Sequence, residues 1–249
     1  FGGKAATHED VNKVHKEVKE IKEMVDGIAE HIPPGEAINK KVKKADSLFH
    51  KGKYTEAFKL YDDVYKQVSS FQKNKLLGLS LIGKGTSIVA QGNYSEAIKM
   101  IKDAQKYEDN MGNQAKSKLF FNLGYCNQKQ QKNNLAIEYY SKALELGLQY
   151  AWAYNNRGVA YGDKGEYEEA ISDFNKALEL DPKDAGFYNN RGNTYVDKGE
   201  YERGIEDFNK ALELEPEYVE AYYNRGTAYM EKEGYEQAIE DFNKALELE

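Results

Sequence analysis

Small residues punctuate the hydrophobic pattern of this chain at two sets of positions. One set is Ala45, Gly85, Gly124, Gly158, Gly192 and Gly226; the other is Ala57, Ala97, Ala136, Ala170, Gly204 and Ala238, and both step by 40, 39, 34, 34 and 34 residues. Aromatic residues accompany them at helical intervals, as with Tyr154, Tyr161 and Phe174, which share a helical face. Two series with identical steps predict one helix–turn–helix unit repeated six times. Gly158 and Ala170 are expected to face one another across the helix pair, where a larger side chain would hold the backbones apart. Gly165 with Glu166 makes the turn, and Pro182, which lacks an amide hydrogen, stops the second helix. Each helix pair leaves an apolar side that only a stacked neighbour can cover.

Ahead of the repeats, Val11, Val14, Val18, Ile21, Val25, Ile28 and Ile32 alternate steps of three and four before Pro33, Pro34 and Gly35. This amphipathic seam predicts either a coiled coil with a second copy or a helix laid on the chain's own first repeats, with Gly27 weakening it. The expected organisation is this helix over 1–34, two longer degenerate repeats over 38–116 and four regular repeats over 117–249. In repeat two Leu79, Ile82 and Val89 would expose apolar area unless the 11–32 helix covers them. The polar stretch 108–116 reads as a hinge.

The segment AWAYNNRGVAYGDKGEYEEAISDFNKALELDPKD, residues 151–184, is identical to the next copy, 185–218, at 23 of 34 positions. Tyr154, Arg157, Gly158, Tyr161, Ala170, Phe174 and Pro182, followed by Tyr188, Arg191, Gly192, Tyr195, Phe208 and Pro216, resemble the tetratricopeptide repeat signature. Gly204 replaces the second alanine, and arginine stands where the family commonly has leucine. The resemblance implies an all-α fold, a right-handed α-α superhelix (solenoid) of antiparallel helix pairs. It also implies a non-catalytic scaffold that binds an extended peptide or partner segment in its concave groove. The regulatory arm of a larger enzyme or signalling protein, or a self-assembling homo-oligomer, are the alternatives.

In this family, repeat positions 2, 5, 6, 9, 12 and 13 tend to line the groove. Position 6 is Asn122, Asn156, Asn190 and Asn224, a row resembling the asparagine ladders that grip a peptide backbone, since an amide both donates and accepts. Four such bonds at about 0.5–1.5 kcal/mol each do not offset an association cost of about 4–15 kcal/mol, so aromatic anchors are needed as well. Phe121, Tyr125, Trp152 and Tyr223 are the candidates. Position 13 places Asp163 and Asp197 in the last repeats, which implies a partner segment with basic residues. The Lys and Arg clamp by which some family members capture a C-terminal carboxylate is absent from the regular repeats, where Trp152, Asn155, Gly186, Asn189, Glu220 and Tyr223 stand at its places.

Composition narrows the function classes further. The 249 residues are 40% hydrophobic with a mean hydropathy of -0.82, and no run of eighteen apolar residues occurs, so no membrane partner is expected. Residues 1–150 hold 24 Lys against 18 acids, while 151–249 hold 11 Lys plus Arg against 24 acids. The second half repels phosphates, which speaks against nucleic acid. The lone Cys126 forms no internal disulfide and fits a reducing, cytoplasmic setting. The stretch GLSLIGKGT, residues 78–86, nearly spells a phosphate-binding loop, but Gly85 stands where Ser or Thr must hold magnesium. His8, His15, His31 and His50 lack metal-ligand spacing, and no nucleophile, base and oxyanion donor assemble, so neither metal, cofactor nor catalysis is expected. The sixth repeat ends without a polar cap, which would let it stack on another chain.

Overall fold

The computed structural model describes residues 36–53, 56–57, 59–60, 73–147 and 150–248. Among them the regular elements are helical: α1 (Glu36–His50), α2 (Lys73–Ala90), α3 (Tyr94–Gln105), a 3-10 turn (Glu108–Asn110), α4 (Asn113–Lys129), α5 (Asn133–Glu145), α6 (Ala151–Gly162), α7 (Tyr167–Leu180), α8 (Ala185–Asp197), α9 (Tyr201–Leu214), α10 (Val219–Glu231) and α11 (Tyr235–Leu248). This is an all-α helical-repeat solenoid. It divides into two compact units, 1–132 and 133–249.

In the first unit α2 pairs with α3, and α3 packs on α4. The GLSLIGKGT stretch lies wholly inside α2, so its backbone amides are spent on helical bonds and no phosphate loop exists there. Gly85 instead lets Ile101 of α3 approach the α2 backbone. The 108–116 stretch contains the 3-10 turn and the first turn of α4, with Met111 buried and seated at Gly78. Ile82 and Val89, the apolar groove positions of repeat two, are buried, and Leu79 is half-buried. The 11–32 seam proposed to cover them lies outside the described residues.

The second unit repeats one contact three times. The pairs α6–α7, α8–α9 and α10–α11 form the hairpins, while α5 packs on α6, α7 on α8 and α9 on α10. At Gly158 a methyl group would lie 2.9 Å from Phe174 Cε1 and 3.1 Å from the Ala170 carbonyl oxygen, which is why that position tolerates no side chain. The turn residue Gly165 has φ +77°, a left-handed conformation that favours glycine. Between repeats, Leu178 and Phe187 form one buried cluster with Ala151 and Ala177, and Ile205, Phe208 and Ala228 form another.

The arginines that stand in for leucine bind the hairpins together. Arg157 Nε and Nη2 donate to the Asp173 carboxylate at 2.7 and 2.8 Å, Arg191 to Asp207 at 2.7 and 2.6 Å, and Arg225 to Asp241 at 2.8 and 2.6 Å. The remaining Nη1 of each reaches the second helix of the preceding repeat, at Ser141 (2.9 Å), Asn175 (2.6 Å) and Asn209 (2.6 Å). All three carboxylates are buried. Tyr154 and Tyr161 flank the Arg157 guanidinium with ring centroids at 5.7 and 5.9 Å, within cation–π range. Burial lowers the pKa of Arg157 and Arg191, but the hydrogen bonds and charge of their aspartates outweigh it and raise it overall.

Candidate peptide-binding groove

The first helices of the last three repeats lie side by side, because each second helix packs on the next first helix and carries it forward. Their free faces enclose a concave cavity of about 450 Å³ lined by Val159 and Gly162 from α6 and Asp163 at its C-cap, Asn190, Asn193, Thr194, Val196 and Asp197 from α8, and Tyr223, Asn224 and Thr227 from α10, together with Phe174 of α7. The volume suits a side chain or short segment of a ligand.

Five residues singled out in the sequence meet there: Asp163, Asn190, Asp197, Tyr223 and Asn224. The other five lie elsewhere. Phe121, Asn122 and Tyr125 are buried within the first unit, where Asn122 donates to Thr86 Oγ1 at 2.9 Å and the Tyr125 ring meets Tyr94 edge-on at 6.2 Å. Their side chains are engaged in packing and hydrogen bonding within the first unit. Asn156 is likewise buried, accepting from Asn155 at 3.2 Å. Trp152 packs edge-on against Phe187 at 4.9 Å, beside the Ala151–Leu178 cluster, and so joins neighbouring repeats instead of standing open as an anchor.

Repeat position 9 belongs to the family's groove set, although no residue of it was singled out from the sequence. Val159, Asn193 and Thr227 occupy it, one from each repeat, and all three line the cavity with Thr194 beside them. The chemistry of this row changes from repeat to repeat, unlike the asparagines of position 6.

The amides are knitted across repeats. Asn190 Nδ2 donates to Asn155 Oδ1 at 2.9 Å, and Asn224 Nδ2 to Asn189 Oδ1 at 3.0 Å. Position 6 of one repeat thereby holds position 5 of the repeat before it. Asp163 and Asp197 are exposed at the cavity mouth, and among the described residues neither meets a basic side chain. Desolvation against the groove wall raises the pKa of both; for Asp163 a hydrogen bond from Asn133 opposes this and the Asp197 charge adds to it.

A carboxyl whose pKa is raised on folding favours the native state below its unfolded value, and that contribution is lost as pH climbs through the raised value. At neutral pH the two charges therefore oppose folding. Asp163→Asn and Asp197→Asn are expected to melt at or slightly above the temperature of the parent protein at pH 7, with the difference closing in acid. Thermal unfolding followed by circular dichroism checks this; a clear drop in melting temperature for either variant would assign that carboxylate to the fold.

Among the described residues no group of three or more His, Cys, Asp or Glu side chains could hold a metal ion, and no helix is long and apolar enough to cross a membrane. Sequence comparison agrees with the repeat geometry. Profiles described as tetratricopeptide repeat match residues 117–146, 151–184, 174–206 and 219–249, and one described as TPR repeat matches 192–233. The chain belongs to the tetratricopeptide repeat family. The matches cover the tetratricopeptide repeats of the second unit and the start of the third repeat, and leave residues before 117 unmatched, as their longer spacing would suggest. No curated protein matches the sequence.

Solved tetratricopeptide structures resemble the chain as well. A crystal structure of MamA superposes with a TM-score of 0.57 at 29% identity, covering 66% of this chain and 93% of that one. YrrB, described as a TPR protein with an unusual peptide-binding site, gives 0.57 at 25% identity over 82% of this chain and 96% of its own. The anaphase-promoting complex hetero-tetramer Cut9–Hcn1 gives 0.71 over 96% of this chain and 45% of that one; at 20% identity it speaks to the fold alone.

Proposed function

We propose that this chain is a scaffold for protein interaction that performs no catalysis of its own and binds an extended, basic segment of a partner along the α6–α8–α10 groove. The observation that carries the reading is the open cavity to which successive repeats bring Asp163, Asn190, Asp197, Tyr223 and Asn224. A tetratricopeptide array typically acts through such a surface, and YrrB is described as having a peptide-binding site. Tyr223, 60% exposed with its ring 5.5 Å from Phe242, is the aromatic anchor. Two unpaired carboxylates supply the charge preference.

The test is an array of immobilised peptides probed with the full chain, scored by net charge and repeated with the Asp163→Lys/Asp197→Lys variant. Basic peptides are expected to be retained, and the variant to lose about tenfold in affinity, since reversing two charges at a contact costs on the order of 1–2 kcal/mol when it is solvated. Retention of acidic peptides in preference to basic ones would overturn the charge assignment. Binding undisturbed by the variant and by Tyr223→Ala would place the interaction outside the groove.

A further inference from the structure

The polar side chains of the groove cavity have few donors left once the fold has taken its share. Asn190 and Asn224 each spend one amide hydrogen on Asn155 and Asn189, which leaves each side chain one N–H and its Oδ1 atom. The Thr194 hydroxyl donates to the Asn190 carbonyl at 3.1 Å and the Thr227 hydroxyl to the Tyr223 carbonyl at 3.0 Å, so each offers only lone pairs. Asp163 and Asp197 are acceptors by nature and carry negative charge. Against the accepting oxygens of these six side chains stand one N–H each from Asn190 and Asn224, the Asn193 amide and the Tyr223 phenol, all of them neutral, and no lysine or arginine lines the cavity.

Such a lining, with two carboxylates and no cationic donor, disfavours a carboxylate or a phosphate. It suits a group that only donates. An ammonium offers three hydrogens on one point charge; a guanidinium offers five in a planar fork and can lie flat on an aromatic ring. Acceptors arriving from three helices, together with the exposed face of Tyr223, favour the fork. We propose that the cavity is an arginine subsite, which receives one guanidinium of the bound segment between the carboxylates of Asp163 and Asp197. This rests on the groove reading above and gives that reading a side-chain specificity. The asparagines then orient the guanidinium through their oxygens.

The full chain, labelled with nitrogen-15, is titrated with the Nα-acetyl methylamides of arginine, lysine and citrulline, and the side-chain amide signals of Asn190, Asn193 and Asn224 are followed by NMR. The arginine derivative is expected to move them saturably, about fivefold more tightly than lysine, the equivalent of one additional hydrogen bond. Citrulline, with the same shape and no charge, is expected to produce no saturable change. Asp197→Asn and Asp163→Asn should each weaken arginine binding while leaving the melting temperature unreduced. Equal binding of lysine or citrulline, or shifts confined to signals outside the cavity, would overturn the subsite. Should arrayed peptides lacking arginine bind and be lost on Tyr223→Ala, the groove reading survives and the arginine subsite does not. If no arrayed peptide is held at all, both fail.

Discussion

Arg191→Ala is expected to lower the stability of the protein by about 3–5 kcal/mol, the cost of leaving a buried charge without its partner. The Asp207 side chain is 9% exposed and takes two hydrogen bonds from that one guanidinium, and truncation would leave its buried carboxylate with neither. Asn175, which is exposed, loses only a bond that water can replace. The arginine is itself mostly buried, so solvent screening offsets little of this. The charge, and not the shape, is what matters: Arg191→Leu combined with Asp207→Ala is expected to recover most of the loss, because replacing a buried pair by apolar groups is often close to neutral. Urea unfolding of the single and double variants measures both numbers. A single variant costing below about 1 kcal/mol, or a double variant no better than the single, would mean that the pair is no more than a surface bridge.

This pair also marks a limit of what the sequence disclosed. The period, the helix pairs, the close approach at Gly158 and the stop at Pro182 were legible because each depends on a residue whose shape or missing hydrogen permits little else. Arginine at the leucine position read as a simple family variant, and nothing in the sequence singled out the aspartates of the second helix. Yet Arg157–Asp173, Arg191–Asp207 and Arg225–Asp241 all stand 16 residues apart. That spacing is longer than any contact within one helix, so the match becomes informative only once the two helices are known to be antiparallel. The family resemblance had already supplied that knowledge.

The groove was half legible for a related reason. Row 13, with Asp163 and Asp197, follows from the family resemblance, and both residues stand exposed beside the cavity. Row 6 lies at the border between the groove and the preceding repeat, and the neighbour decides which way it faces. Asn122 and Asn156 are buried, whereas Asn190 and Asn224 keep an open edge. Trp152 stands on a similar border, where Phe187 claims its ring. Aromatic character marked it as an anchor, but an aromatic side chain is equally valuable between two repeats. An asparagine that seems free to donate turns out to have given one of its two hydrogens to an amide of the preceding repeat.

Phe208→Ala is expected to cost about 3–5 kcal/mol, as emptying a fully buried aromatic site does. Phe208 closes the α8–α9 hairpin: a methyl group on Gly192 would lie 2.7 Å from its Cε1 and 3.1 Å from the Gly204 carbonyl oxygen, and Ile205 and Ala228 complete the surrounding cluster. Glycine and phenylalanine are therefore two halves of one contact. Gly192→Ala alone is expected to destabilise by about 1–3 kcal/mol through overpacking. In the double variant the alanine methyl enters space that the ring has vacated, so the loss should fall short of the sum by about 1 kcal/mol, a coupling that a double-mutant cycle reads directly. Strict additivity would show that the two positions do not share a contact. Because α8 carries Asn190, Asn193 and Asp197 on its other face, the same substitutions displace the groove wall. Binding by Phe208→Ala should accordingly weaken even where the protein remains folded, although Phe208 touches no ligand, because the hairpin core fixes the angle at which that helix presents its acceptors.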